Sequence, residues 1–168
     1  MGPILVLMNP FNTICNPLTL TSTANIATPL PVSKIVQEAL RQQGETGYPQ
    51  AIILSGLSGS GKTHTSMLVL RTLFELAGGG TESDAFKHLT ASITVLRSLG
   101  TATTVSNVES SRIGQFIEVQ VTDGTVYRTK VHCYFLDQNR VVKTSPLEKN
   151  YHIFYQMLAG LTSEERSK

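Results

Sequence analysis

Residues 56–63 read Gly56-Leu57-Ser58-Gly59-Ser60-Gly61-Lys62-Thr63. They follow the apolar run Ala51-Ile52-Ile53-Leu54 and open residues 62–77, where Met67, Leu70, Leu73, Phe74 and Ala77 recur at helical spacing. This order of strand, glycine loop and helix constrains the fold more than any other feature. A continuous apolar run predicts a strand covered on both faces, as in a parallel sheet. The octet fits G-x-x-x-x-G-K-[ST] without a gap, a match that background residue usage yields by chance in about one chain in a hundred of this length. Its glycines let the backbone turn its N–H groups inward, and with the helix N-terminus behind them they form an anion nest. Lys62 brings a cation to the outer phosphates of a nucleotide, and Thr63 offers a hydroxyl to Mg²⁺.

The chain of 168 residues predicts one domain, and it is long enough to bury a real core. Apolar residues make up 40% and charged residues 15%, which excludes a disordered tail. The net charge of +2, with no basic block, argues against an electrostatic nucleic-acid binder. No apolar run is long enough to span a bilayer. The N-terminus lacks the charged n-region of a secretory signal. Cys15 and Cys133 form no CxxC and no zinc spacing, so two buried thiols in a reducing, cytoplasmic compartment are expected. His64, His88, His132 and His152 share no ligand spacing, and Lys143, Lys149 and Arg166 read as solvated charges.

Elsewhere, residues 4–8 predict a buried strand closed by Asn9-Pro10, and residues 12–31 an irregular connector. Ser33 is expected to cap a helix that ends at Gly44. Gly78-Gly79-Gly80 should end the helix over 62–77, and a further helix carrying Phe86, Leu89, Ile93 and Leu96 should stop at Gly100. Residues 101–115 read as a loop. Residues 116–121 and 126–136 alternate around Asp123-Gly124 and predict a hairpin. Val141-Val142 reads as a strand stub. Residues 150–161 read as a helix with Ile153, Phe154, Met157, Leu158 and Leu161 inward, and with Tyr151 and Tyr155 in the core. The fold class is therefore α/β, a phosphate-loop-type mixed sheet flanked by helices with a β-hairpin after the second loop.

That second loop is Asn107-Val108-Glu109-Ser110-Ser111-Arg112-Ile113-Gly114-Gln115-Phe116. Two hydroxyls, an Asn and an Arg before a strand could close over a γ-phosphate, one Ser on metal and one on phosphate. By themselves these residues equally fit a solvated loop. Phe135-Leu136-Asp137 has the form of a second metal-holding element, and equally of a turn at a strand end.

Taken together, these motifs resemble the nucleotide-binding part of a myosin motor head, of a divergent, unconventional kind. The resemblance covers the phosphate loop at 56–63, a switch I-like loop at 107–118, Asn9-Pro10-Phe11, Arg140-Val141-Val142 and the stretch from Asn150 to Gly160. It implies a partial motor domain with an adenine-side segment and connector over 1–50, the phosphate-loop strand and helix over 51–77, and switch I, hairpin and following helix over 101–161. It also implies ATP and Mg²⁺ as cofactors, actin filaments as partner and a cytoskeletal location. Asn9, Pro10 and Phe11 would lie near the base. Each residue from Gly56 to Thr63, with Asn107, Ser110 and Ser111, would bind nucleotide. Thr63 and Ser111 would hold Mg²⁺, while Lys62, Ser110 and Arg112 would serve catalysis. Residues 78–84 would correspond to a surface loop that tunes nucleotide exchange.

Departures from the family pattern are Asn12 in the base-side segment, Leu57 and Ser60 in the first loop, and Glu109 and Gln115 in the second. The motifs that follow switch I in such heads, switch II first among them, have no match, so the chain reads as a truncated head in which Arg112 lacks its family partner. Weak or absent turnover is expected. A non-catalytic module binding nucleotide or protein is the alternative reading, and a small phosphotransferase a more distant one.

Overall fold

A computed structural model describes residues 4–11, 29–77 and 79–167. The chain forms two compact units, residues 1–90 with 119–130 and residues 91–118 with 131–168. The connector expected over 12–31 and the thiol of Cys15 lie largely or wholly outside the described residues.

The first unit is built on α1 (Leu30–Thr46) and α2 (Lys62–Ala77), which pack together. Helix α1 starts ahead of Ser33, with Pro31 in its first turn, where a missing N–H costs no helical bond. It continues through Gly44 and ends at Gly47, whose left-handed backbone (φ 69°) lets its N–H reach the Gln43 carbonyl. Val32 and Val36 of α1 are buried, as are Met67, Leu68, Leu70, Phe74 and Ala77 of α2. Phe74 meets Phe86 edge-on, with ring centroids 5.3 Å apart. Each of these side chains larger than alanine contributes about 1.5–3 kcal/mol by leaving water. Helix α2 has the expected limits, and the Phe74 carbonyl near its end accepts from Gly80 N–H at 3.0 Å. Ser83 Oγ then accepts from Phe86 N–H and caps α3 (Asp84–Gly100), a start signal within the expected polar loop.

The expected strands at 4–8 and 51–54 are not formed. Both segments lack β-pairing among the described residues, and Ile53 is 86% exposed. An apolar run becomes a strand only where a neighbouring backbone completes its hydrogen bonds. The sheets present are small. β1 (Thr101–Ala102) pairs antiparallel with β2 (Ser110–Ser111), so the expected loop over 101–115 contains a two-rung ladder. β3 (Gly114–Thr122) and β4 (Thr125–Tyr134) form the expected hairpin. Asp123 and Gly124 both take positive φ, at 50° and 71°, as a type I′ turn requires. The chain is therefore a mixture of helix and small antiparallel sheet.

In the second unit, the β1–β2 ladder sets Thr101 opposite Ser111 and Ala102 opposite Ser110, and Ala102 also bridges Tyr151. Gly100 permits this closeness, because a Cβ there would lie 2.7 Å from Ile113 Cγ2. Val141-Val142 belongs to the short helix α4 (Asn139–Val142), not to a strand. Burial of Arg140 orients that turn and leaves Val142 outside. Helix α5 (His152–Gly160) forms, but none of its residues is buried. Phe154, Tyr155, Met157 and Leu158 are exposed, contrary to the inward face expected, whereas Tyr151 is core. Periodicity selects a helix, but burial needs an opposing surface. Cys133 is exposed rather than buried, because it faces outward from β4. Helix α6 (Ser163–Arg166) is closed by a capping box between Thr162 and Glu165.

Candidate nucleotide site

The glycine loop runs directly into α2, whose first residue is Lys62. Gly56, Gly59 and Gly61 take φ of 150°, 79° and 93°. A Cβ at Gly56 would meet Ser60 Oγ at 2.7 Å, a contact that rotation of the hydroxyl relieves, so the φ of 150° is the larger reason for glycine there. Ser60 N–H closes the turn on the Leu57 carbonyl at 3.2 Å, and Thr65 N–H begins the helical ladder on Gly61 at 2.9 Å. The first N–H groups of α2 have no acceptor within the helix and carry its positive dipole end. The Lys62 ammonium donates to the carbonyls of Gly56 at 2.6 Å and Leu57 at 2.7 Å, which fixes its charge at the loop. Thr63 and Leu57 are exposed.

Asn9 joins this loop from fifty residues away. Its side-chain N–H₂ donates to the Gly59 carbonyl at 2.7 Å, and its Oδ1 accepts from Phe11 N–H at 2.9 Å. Phe11 has φ 53° and is exposed, as is Pro10. Just inside α2, burial lowers the pKa of half-buried His64, and its buried Nε2 has no hydrogen-bond partner.

The loop at 107–116 belongs to the second unit. Asn107 Oδ1 accepts from Glu109 N–H at 3.0 Å, and the Asn107 carbonyl accepts from Thr104 N–H at 2.9 Å. Ser110 is 1% exposed, and its Oγ accepts from Arg112 Nη1 at 3.4 Å. Ser111 is exposed, and its hydroxyl donates to Ile113 O at 3.5 Å. Glu109 points to solvent and faces Arg97 at 3.4 Å and His152 at 3.8 Å.

Arg112 is anchored at both ends. Its N–H donates to the Gly100 carbonyl at 2.8 Å, and its Nη2 lies 3.3 Å from Asp137 Oδ2. The switch II glutamate that pairs with this arginine in the family has no match in the sequence, and Asp137 is an in-chain carboxylate that motif spacing does not reveal. Asp137 lies in the turn after β4, as the strand-end reading has it. Arg140 Nε also reaches Asp137 Oδ2 at 3.2 Å, and Arg140 Nη2 reaches Glu148 Oε2 at 2.9 Å. Burial disfavours the Arg140 charge, but bonds to Glu148 and Asp137 outweigh it and raise its pKa. Tyr151 OH donates to the Asp137 carbonyl at 2.6 Å. Burial pushes the Tyr151 phenol up, and the Asp137 charge adds to the shift. The sequence signal at this position is the Phe135-Leu136-Asp137 triplet, which has the form of a metal-holding element and equally of a strand-end turn. Among the described residues, no group of acidic, His or Cys side chains is arranged to hold a metal ion.

The family model for the myosin head (motor domain) matches residues 1–168. The chain belongs to the myosin head family. It is 32% identical to myosin IB heavy chain of Dictyostelium discoideum and 34% identical to myosin-D of Toxoplasma gondii, each over 99% of its length. It is also 34% identical to unconventional myosin heavy chain 6 of Caenorhabditis elegans over the same share. It spans 16%, 21% and 8% of those three relatives. Among the described residues of this myosin-head chain, no helix is long and apolar enough to cross a membrane.

Proposed function

We propose that this chain is the ATP-binding segment of a myosin-like motor. The observation that carries the reading is the loop at 56–63: three glycines at positive φ lead into α2, with Lys62 as its first residue. Oxygen donors, an ammonium and helix N-terminal amides are the donor set that a magnesium–triphosphate requires. Lys62 would hold the outer phosphates, and Thr63 and Ser111 would hold Mg²⁺. Ser110 would face the γ-phosphate, Asn107 would contact the phosphate region, Arg112 would serve catalysis by helping to close the site around the attacking water, and Asn9, Pro10 and Phe11 would border the base. The metal, when bound, neutralises charge on the phosphate oxygens. The family chemistry is in-line attack of water on the γ-phosphate, in which the protein positions groups and stabilises charge. Coupling to actin filaments, and a place in the cytoplasm at the cytoskeleton, are part of this proposal. So is the larger mixed sheet: residues 4–8 and 51–54 are apolar, mostly exposed and unpaired among the described residues, as strands without neighbours would be.

A second reading is nucleotide binding without turnover. It is favoured by the engagement of Arg112 with Asp137 and by Leu57 on the rim of the loop. A thermal melt with and without MgATP, run beside Lys62→Ala, tests the site. A melting temperature raised by MgATP in the wild type alone supports it, and no shift in either refutes it. Phosphate release above the buffer blank then selects the hydrolytic reading over the binding one.

A further inference from the structure

We infer that Asn9 is a positioning residue for the phosphate loop, acting through the Gly59–Ser60 peptide; this rests on the nucleotide-site reading above. Asn9 and the whole loop lie in the same compact unit. The Gly59–Ser60 peptide is held at both edges: its carbonyl accepts from Asn9 Nδ2 at 2.7 Å, and its N–H donates to the Leu57 carbonyl at 3.2 Å. The Leu57 carbonyl also accepts from the Lys62 ammonium at 2.7 Å. Asn9 is thus joined to the cation of the loop through a short chain of hydrogen bonds.

Gly59 needs such a hold. Its φ is 79°, and glycine populates either sign of φ, so nothing in the residue itself keeps the peptide from turning over. Because the peptide is planar, a turned-over one would put its oxygen where the Ser60 N–H now points, against the Leu57 carbonyl. Without Asn9 the loop would divide its time between the two forms, and only the fraction in the competent form binds an anion. The other end of the Asn9 amide is also committed to backbone, since Oδ1 accepts from Phe11 N–H at 2.9 Å. The effect of Asn9 therefore falls on the phosphates of a nucleotide and not on its base.

The test uses the 168-residue chain as wild type, Asn9→Ser and Asn9→Gln, titrated calorimetrically with MgATP and with magnesium tripolyphosphate, which has no base. Hydrogen exchange of backbone amides is followed in the nucleotide-free proteins. Asn9→Ser keeps an acceptor for Phe11 N–H, adds no charge and is too short to reach Gly59. It should weaken both ligands by the same factor, about two- to fivefold, where fivefold is the worth of one hydrogen bond. Exchange of the Ser60 N–H should quicken over the same range while the interior of α2 is unchanged. Asn9→Gln keeps the amide donor and should recover part of both effects. Loss of MgATP affinity alone would assign Asn9 to the base and overturn the inference, as would a wild type that binds MgATP but not tripolyphosphate. Faster exchange throughout α2, or unchanged affinities where the wild type binds both ligands, would reduce Asn9 to a structural role, overturning the inference and leaving the site standing. No binding of either ligand by the wild type would overturn both.

Discussion

Asn9 and Gly59 are joined by a 2.7 Å hydrogen bond from the Asn9 amide to the Gly59 carbonyl, which ties the first described segment of the chain to the centre of the phosphate loop. The same side chain turns the backbone at Phe11. Asn9→Ala should cost about 1 kcal/mol, the net worth of one such bond. A chemical melt of the nucleotide-free chain measures that loss.

Gly56→Ala should abolish nucleotide-dependent stabilisation. The new Cβ meets Ser60 Oγ and must also adopt a φ of 150°. Adding Ser60→Ala removes the hydroxyl but leaves the backbone strain, of order 1–3 kcal/mol. Partial recovery in the double variant, read from the MgATP-induced rise in melting temperature, is the expected result.

Phe74→Ala should destabilise the first unit by about 3–5 kcal/mol, because the ring is fully buried and packs edge-on against Phe86. Leu147→Ala, at an exposed position of the second unit, should shift stability by less than about 0.5 kcal/mol. Denaturant midpoints of the two variants measure the contrast.

Burial holds the His64 imidazole below its ordinary value of 6.5. The folded state therefore favours the neutral ring. Its contribution is complete above pH 6.5 and is lost as pH falls through the lower folded value. The melting temperature of the wild type should drop more steeply between pH 7 and pH 5 than that of His64→Gln.

On α1, Glu38 accepts from Arg41 and Gln42, and the Arg41 bond is the larger reason that its carboxyl is pulled from 4.5 to about 2. The stabilisation is present above pH 4.5 and is lost as pH falls through about 2. Carbon-detected titration of the Glu38 carboxyl should show the low midpoint, and Arg41→Gln should return it toward 4.5.

The legible parts of this chain are those whose cause is local. Lys62–Ala77 is a helix because its apolar residues recur at helical spacing, and Asp123-Gly124 is a turn because both residues tolerate positive φ. The glycine loop is legible for the same reason, since Gly56, Gly59 and Gly61 supply the positive φ that its turns require. The caps at Ser83 and Thr162 have equally local signals, a hydroxyl three residues ahead of the N–H that it accepts from.

The family, the four longer helices and the hairpin follow from residues close together in the chain, because periodicity, turn chemistry and motif spacing act over a few positions, whereas α4, α6 and the β1–β2 ladder show no such periodicity. That residues 4–8 and 51–54 form no ladder, that α5 buries nothing, and that Arg112 meets Asp137 twenty-five positions away are visible in the folded chain alone. Each of those outcomes depends on what lies opposite in space. Pairing, burial and the neutralisation of a charge need a second surface, and hydrophobic spacing along one strand or helix does not name it.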